Sequence, residues 1–261
     1  MTLILFGYAR HFHIMQLAYR HALTAFDDIS NVVVIWDDYY APKELDLVGH
    51  LQSVIDGEII RTSSLDFINE RRGWLRQQFV KLNMHKIVCD SEFILLDGDC
   101  ILREHKPLRN STGLVINYYP PHENYQPYFD TIEKFLGLVR KDTQSFMSPY
   151  WLCERDVLVA LEQYRPALIQ QFQQYYKTNM PWPAPFSECE TYGQFASQIL
   201  GQNFDHQHWQ LLEVDPNKFV DLYLTTNESL VLGGRDDFPE QFWNDHGIRY
   251  NKDLNQWLDH N

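Results

Sequence analysis

Short apolar runs alternate with helix-spaced segments through the first hundred positions. Thr2 to Phe6 is a short apolar run, His11 to Phe26 carries Phe12, Met15, Leu17, Tyr19 and Leu23 at helical spacing, and Val32 to Trp36 is β-branched. A further short strand is predicted around Ile59-Ile60, then a long helix from about Leu65 to Met84, then the run Phe93-Ile94-Leu95-Leu96. Runs without polar alternation are strands buried on both faces, which predicts a parallel sheet sandwiched by helices, an α/β fold. After Asp99 the texture changes: Leu114 to Asn117 reads as a strand and Tyr128 to Val139 and Arg155 to Tyr164 as helices. Phe219 to Thr225 reads as a strand and Pro239 to His246 as a short helix. Between them, the alternate prolines of Met180-Pro181-Trp182-Pro183-Ala184-Pro185 cannot continue a helix and favour an extended stretch that delivers Ser187 to a fixed place. No internal repeat, low-complexity tract or Gly/Ser linker divides the chain, so a single domain over residues 1–261 is predicted.

With 261 residues, 44% hydrophobic and 22% charged, the chain can bury one substantial core, which excludes a disordered tail, a coiled coil and a small stapled scaffold. Lys+Arg 22 against Asp+Glu 35 leaves a formal charge of −13, so the average surface repels nucleic acid and anionic lipid while a local basic patch stays possible. Any anionic substrate then needs a metal ion or a few placed Arg and Lys. Cys89, Cys100, Cys153 and Cys189 form no C-x-x-C pair and sit in or beside apolar segments, the pattern of reduced thiols acting as small hydrophobes, without structural zinc. The apolar start Leu3 to Phe6 is too short for a membrane span, and Arg10, His11 and His13 follow rather than precede it. A cytoplasmic protein without a membrane span is expected. The aromatic content of 15% is read first as an aromatic-rich core.

The candidate chemistry starts where Phe93-Ile94-Leu95-Leu96 stops at Asp97-Gly98-Asp99. Residues i and i+2 of an extended chain point to the same side, so the two carboxylates can converge, and Gly98 lets a ligand approach the backbone. In an open α/β sheet the carboxyl ends of the strands border the ligand crevice. Paired hard oxygens there suit Mg²⁺ or Mn²⁺, the remedy an acidic protein needs to hold a diphosphate. The plain alternative is an Asp-Gly turn between two strands. A phosphatase reading is disfavoured, because Cys100 follows the triplet and roughly ninety residues precede it.

In the predicted helix before it, Ile68, Leu75, Phe79 and Leu82 share one face. Trp74, Gln77, Gln78 and Lys81 gather within an arc of about 100° beside that stripe, and Arg76 falls on its other flank. This polar rank either lines a cleft or is a solvated face whose Trp covers the core edge. Lys81 near a diphosphate would act as a mobile point charge and Arg76 as a two-oxygen fork. In Ser187-Glu188-Cys189-Glu190-Thr191-Tyr192-Gly193, Ser187 and Glu190 fit the S-x-x-E capping box that opens a helix, which gives Glu190 a structural reading. Glu188, in the opening turn, is then the chemical carboxylate, suited to accept the proton of an attacking hydroxyl.

In this order, Trp74-Leu75-Arg76-Gln77-Gln78-Phe79-Val80-Lys81, Asp97-Gly98-Asp99 and Phe186-Ser187-Glu188-Cys189-Glu190-Thr191-Tyr192-Gly193 resemble the glycosyltransferases of the GT-A fold. More narrowly they resemble a bacterial and viral set with W-x-R-Q-Q-x-x-K, D-x-D and F-S-E-x-E-x-Y-G segments, over roughly residues 2 to 200. The resemblance implies a Rossmann-like mixed, mostly parallel sheet flanked by helices, with residues 1–103 as the nucleotide-sugar-binding half and 104–261 as the acceptor-side half. It implies a nucleotide-diphosphate sugar donor, a glycan or other hydroxyl acceptor, and Mn²⁺ or Mg²⁺ held chiefly by Asp99, with Asp97 on the metal or the ribose. Donor contacts would come from Tyr8, Arg10, Trp74, Arg76, Gln77 and Lys81, and the catalytic carboxylates would be Glu188 and Glu190. GT-A enzymes often take a further metal ligand, commonly His, from near the C-terminus, and His206, His208 and His246 are available. Two departures are Cys189, where an aromatic is usual, and a Gly7-Tyr8 turn without a Pro-Ser-Tyr opening. The expected activity is metal-dependent hexosyl transfer of open stereochemistry. The alternatives are a noncatalytic nucleotide-sugar or glycan-binding protein and a nucleotidyltransferase, the latter disfavoured by the lack of a Gly-rich phosphate loop near the N-terminus.

Overall fold

The computed structural model describes the chain except residues 40, 43–44, 68–69, 71, 105–106, 119–124, 142–144, 179, 182, 209–210, 215–222, 225–228, 233–239, 247, 249–250 and 255–261. The first elements are β1 (Thr2–Tyr8), α1 (Phe12–Ala25), β2 (Asn31–Asp37), α2 (Leu47–Gln52), β3 (Glu58–Arg61), α3 (Gly73–Leu82), β4 (Glu92–Asp97) and β5 (Cys100–Ile101). There follow β6 (Arg109–Asn110), β7 (Gly113–Tyr118), α4 (Gln126–Leu136), β8 (Tyr150–Glu154), α5 (Arg155–Tyr164) and α6 (Leu168–Tyr175). The chain continues through α7 (Glu188–Gln198), β9 (Phe204–His208), β10 (Leu211–Val214), β11 (Ser229–Leu232) and α8 (Glu240–Asp245). The architecture is a mixed, mostly parallel sheet structure flanked by helices, as the apolar runs predict. It is organised as two compact units, one of Met1–Phe67, Ile94–Pro107 and Gln210–Asn261, the other of Ile68–Phe93 and Leu108–Trp209. Their borders interleave along the chain.

In the first unit the strands run in the order β3-β2-β1-β4. β1 and β2 pair in parallel from Thr2 opposite Asn31 to Tyr8 opposite Asp37, and β3 adds in parallel to β2. Leu3 to Phe6, Val32 to Trp36 and Ile94 to Leu96 are all buried, which is why these strands show no polar alternation. A smaller sheet sets β11 between β10, in parallel, and β5, antiparallel.

The C-terminal segment covers a second face of α1. His13 Nε2 accepts the Asn251 N–H at 2.9 Å, Arg20 donates to the His246 carbonyl at 2.7 Å, and His21 Nε2 meets the Tyr223 hydroxyl at 3.1 Å. The Arg103 guanidinium lies 3.9 Å over the Tyr223 ring. Burial, and then the charge of Arg103, hold the His21 imidazole down to about 4, so it meets Tyr223 as a neutral ring. The strand expected over 219–225 falls largely outside the described residues, and Tyr223 and Leu224 are helical.

In the second unit β7 pairs antiparallel with β6 and parallel with β9, and β8 runs directly into α5. Phe79 of α3, Phe172 of α6 and Phe186 form its aromatic centre, with ring centroids 4.8–5.9 Å apart. Gly193 admits the Phe146 ring against α7, where a Cβ would lie 2.0 Å from it. The helix expected over Tyr128 to Val139 ends three residues early, because Gly137 takes the left-handed conformation at φ +71° that closes a helix.

The helix expected from Leu65 begins only at Gly73. The Glu70 carboxylate accepts the Arg72 N–H at 3.0 Å and its guanidinium at 2.9 and 3.0 Å, and Arg72 stays extended. A side chain that captures a local N–H competes with the first helical turn. Leu75, Phe79 and Leu82 form the expected buried stripe, while Ile68 lies outside the described residues. Cys100, Cys153 and Cys189 are buried as expected of small hydrophobes, but Cys89 is exposed.

Candidate functional site

The carboxyl edge of the first unit's sheet carries its chemistry. β1 ends on Tyr8, and a short 3-10 turn, Ala9–His11, precedes α1. β4 ends on Asp97, and Gly98-Asp99 forms the turn into β5, so the Asp-Gly turn and the acidic strand end are one feature. The Gly98 N–H donates to the Phe6 carbonyl at 2.8 Å. A Cβ at Gly98 would sit 2.4 Å from that same oxygen and 3.1 Å from Met15 Cγ, so the turn admits only glycine without displacement. Asp99 Oδ2 lies 3.8 Å from His11 Nδ1, their side chains 20% and 10% exposed. The Tyr8 ring, 40% exposed, rests on the His11 ring at 4.2 Å, and Arg10 is exposed between them in sequence. At the end of β2, Asp37 accepts from the Tyr39 N–H and the Thr62 hydroxyl, while Asp38 holds the Ser63 hydroxyl and N–H.

Among the described residues no group of three or more His, Cys, Asp and Glu side chains could hold a metal ion by itself. Two half-buried carboxylates fit Mg²⁺ or Mn²⁺ bound together with a diphosphate, since Mg²⁺ typically keeps several waters and takes one or two carboxylates plus substrate oxygens. Of the three histidines considered as a further ligand, His246 Nδ1 is hydrogen-bonded to the Phe242 carbonyl at 2.7 Å in the first unit. His206 Nδ1 is bonded to the Ser145 carbonyl at 3.2 Å in the second. The His208 side chain lies outside the described residues.

The second unit gathers the other predicted residues at the opening of α7. Lys81 Nζ donates to Glu188 Oε1 at 2.7 Å, both side chains 2% exposed. Gln78 Oε1 accepts the Glu188 N–H at 3.1 Å, and the Lys81 ammonium stands 5.4 Å from the Trp151 ring centroid. This revises the expectation for Lys81, which is not a mobile point charge but is fixed on a carboxylate; Glu188 stands in the opening turn of α7, as expected, as half of a buried ion pair. Its second oxygen, Oε2, has no hydrogen-bond partner among the described residues. Trp74 and Gln77 of the polar rank are partly exposed, whereas Arg76, buried on the other flank, donates to the Glu70 carbonyl at 2.7 Å.

The capping box closes by half. Ser187 Oγ accepts the Glu190 N–H at 3.2 Å, as predicted, but the Glu190 carboxylate does not return to Ser187. Its Oε1 instead accepts from Ser145 Oγ at 2.5 Å and the Phe146 N–H at 3.0 Å, tying α7 to the segment before β8. Burial pushes Glu190 from the ordinary 4.5 to about 7, partly offset by Ser145, Phe146, Arg140 and Gln194. The residues not assigned from sequence are His11, Gln78, Ser145 and Trp151. His11 carried a signal, its place just beyond β1 at the carboxyl edge; Ser145 and Trp151 carried none.

The family described as "Family of unknown function (DUF6492)" matches residues 18–234. No curated protein matches in sequence. Among solved structures, mouse xyloside xylosyltransferase 1 in its apo form is similar at 11% identity and a TM-score of 0.50, over 92% of this chain and 100% of that one. The galactosyltransferase LgtC, in complex with donor and acceptor sugar analogs, is similar at 9% identity and a TM-score of 0.53, over 98% and 99%. An active-site mutant of LgtC gives 11% and 0.53 over the same shares. These likenesses establish a GT-A-type fold.

The raised Glu190 value has a defined consequence for stability. Its folded value exceeds the unfolded one, so the native state binds the extra proton between 4.5 and about 7, and the stability Glu190 contributes falls as pH rises through that window and then levels. Glu190→Gln keeps an oxygen for Ser145 and Phe146 but carries no charge to desolvate. Urea unfolding at pH 5 and pH 8 should therefore show the variant gaining stability relative to the wild-type protein toward pH 8, the His21 contribution being common to both; a difference between the two proteins that does not change with pH would refute the assignment.

Proposed function

The chain belongs to DUF6492, a family of unknown function, and we propose that it is a metal-dependent glycosyltransferase that moves a sugar from a nucleotide-diphosphate donor to a hydroxyl acceptor, a glycan in the simplest case. The observation that carries this reading is the Asp97-Gly98-Asp99 turn, held against the end of β1 by the Gly98–Phe6 hydrogen bond. The sugar analogs bound by LgtC support the choice of substrate class.

A divalent ion there supplies positive charge where negative charge develops on the departing diphosphate. In this reading Asp99 and Asp97 hold the ion, and His11 orients the Asp99 carboxylate. Tyr8 offers an exposed ring face to the nucleotide base and Arg10 a fork to its phosphates. Trp74 and Gln77, partly exposed on α3, are further donor contacts in this reading, and Arg76 braces the start of that helix through Glu70. Glu188 is the base: its pairing with Lys81 holds the carboxylate in place, and Oε2, without a hydrogen-bond partner among the described residues, takes the proton of the acceptor hydroxyl. Glu190 holds the 145–146 segment in place.

A second reading, a noncatalytic nucleotide-sugar-binding protein, draws on the same ion pair, because Lys81 and Glu188 neutralise each other. Two experiments test these readings. Calorimetric titration of nucleoside diphosphates with and without Mn²⁺ should show metal-dependent binding that weakens about tenfold or more in Asp99→Asn, which keeps the shape of the carboxylate but not its charge. Unchanged affinity would leave Asp99 a turn residue only. Glu188→Gln, whose amide oxygen still accepts from Lys81, should bind the donor normally yet lose about 10²-fold in transfer. Full turnover in that variant would exclude Glu188 as the base.

A further inference from the structure

The opening of α7 is laced to the segment before β8. Ser187 Oγ donates to Met147 Sδ at 2.9 Å, Cys189 Sγ lies 3.6 Å from the Ser148 carbonyl, and Glu190 Oε1 takes the Ser145 hydroxyl and the Phe146 N–H. The Phe146 ring fills the space that a Cβ at Gly193 would need. On its other side the same turn is tied to α3, through Glu188 on Gln78 and Lys81. The turn is therefore held between α3 and residues 145–148, and the second hold runs through a titratable group, Glu190, that is wholly buried.

The groups that act on the Glu190 carboxyl are the donors Ser145, Phe146 and Gln194 and the charge of Arg140. Of the helices packed on α7, α3 sets Lys81 against Glu188, and the acids of α4 and α5, Asp130, Glu133, Asp156 and Glu162, are exposed, as is Lys134. Burial pushes up the Cys153 thiol of β8 and the Tyr192 hydroxyl, so both stay neutral. From β9, His206 donates its Nδ1–H to the Ser145 carbonyl, a bond that the neutral and the charged ring both make, and Asp205 is engaged by Asn110 and Gln207. Asp142 lies outside the described residues.

We propose that Glu190 is a proton-operated latch: protonated, it keeps residues 145–148 closed on the opening turn of α7, and ionised, it lets them part and slackens the turn that presents Glu188. The coupling to chemistry rests on the reading of Glu188 as the base, and Glu190, acting through it, is a positioning residue. The sign follows from burial. In the closed site the carboxyl keeps its proton up to about 7, whereas one released to solvent ionises near the ordinary 4.5. The closed form therefore loses about tenfold against the open one for each pH unit between those two values, and the ratio levels above them.

Hydrogen exchange of the full-length protein at about pH 5.5 and about pH 7.5, corrected for intrinsic rates, tests the latch without any substrate. Protection over residues 145–148 and 188–191 should fall by about tenfold or more toward the higher pH in the wild-type protein and far less in Glu190→Gln. That exchange should be indifferent to low concentrations of urea, the mark of a local opening rather than global unfolding. Ser145→Ala, which removes one donor from the carboxyl, should lower the same protection at both pH values. With a donor that turns over, kcat of the wild-type protein relative to Glu190→Gln should fall by about threefold or more across the interval, at an unchanged ratio of donor KM. Protection that is level with pH, an equal change in Glu190→Gln, exchange only through urea-sensitive unfolding, or a kcat ratio that does not move with pH would overturn the proposal. If no donor turns over, the glycosyl-transfer reading fails while the exchange result still decides the latch.

Discussion

The close approach of Gly98 to the Phe6 carbonyl fixes the first unit's working edge. The hydrogen bond is 2.8 Å long and a Cβ would lie 2.4 Å from the accepting oxygen, so the end of β4 is drawn against the end of β1 with no side chain between them. Everything proposed for that edge follows from this contact. It sets Asp97 and Asp99 on either side of a backbone turn and brings Asp99 within 3.8 Å of His11, on which Tyr8 rests. A protein of net charge −13 needs a metal ion or a few placed Arg and Lys to hold a diphosphate there, and two carboxylates suit a hard divalent ion bound together with its substrate.

The second unit depends on a different constraint, a buried ion pair. Lys81 and Glu188, each 2% exposed, cost desolvation energy that their mutual attraction and the surrounding hydrogen bonds must offset. Such pairs are a poor source of net stability but a strict source of geometry, because loss of either partner strands a charge in the interior. Gln78 on the Glu188 N–H and Glu190 on Ser145 and Phe146 add to that strictness at the opening of α7.

The legible parts of the sequence were those where burial alone shapes the pattern. Leu3 to Phe6, Val32 to Trp36 and Phe93 to Leu96 are apolar on both faces because the strands are buried on both, and the helix of α5 follows its own periodicity from Arg155 to Tyr164. Where a single side chain overrides periodicity, the pattern misleads. Glu70 capturing the Arg72 N–H delays α3, and Gly137 in the left-handed region shortens α4. The position of Asp97 and Asp99 was readable because strand end and acidic triplet coincide in sequence. The Lys81–Glu188 pair was not, since its partners lie 107 residues apart and a rank on one helix face does not say what it faces. Glu190 shows the same limit: its spacing from Ser187 gave the cap, but the carboxylate prefers the Ser145 hydroxyl and Phe146 amide, which no local motif announces.

The central claim is that a divalent ion at the Asp97–Asp99 turn serves glycosyl transfer, and the most direct measurement is product release. Purified protein would be incubated with a panel of nucleotide-diphosphate sugars and Mn²⁺, with and without a chelator, and the nucleoside diphosphate freed would be quantified. The account predicts release from at least one donor, abolished by the chelator and restored by excess metal. Tight donor binding with no release from any member of the panel, or release indifferent to the chelator, would contradict it.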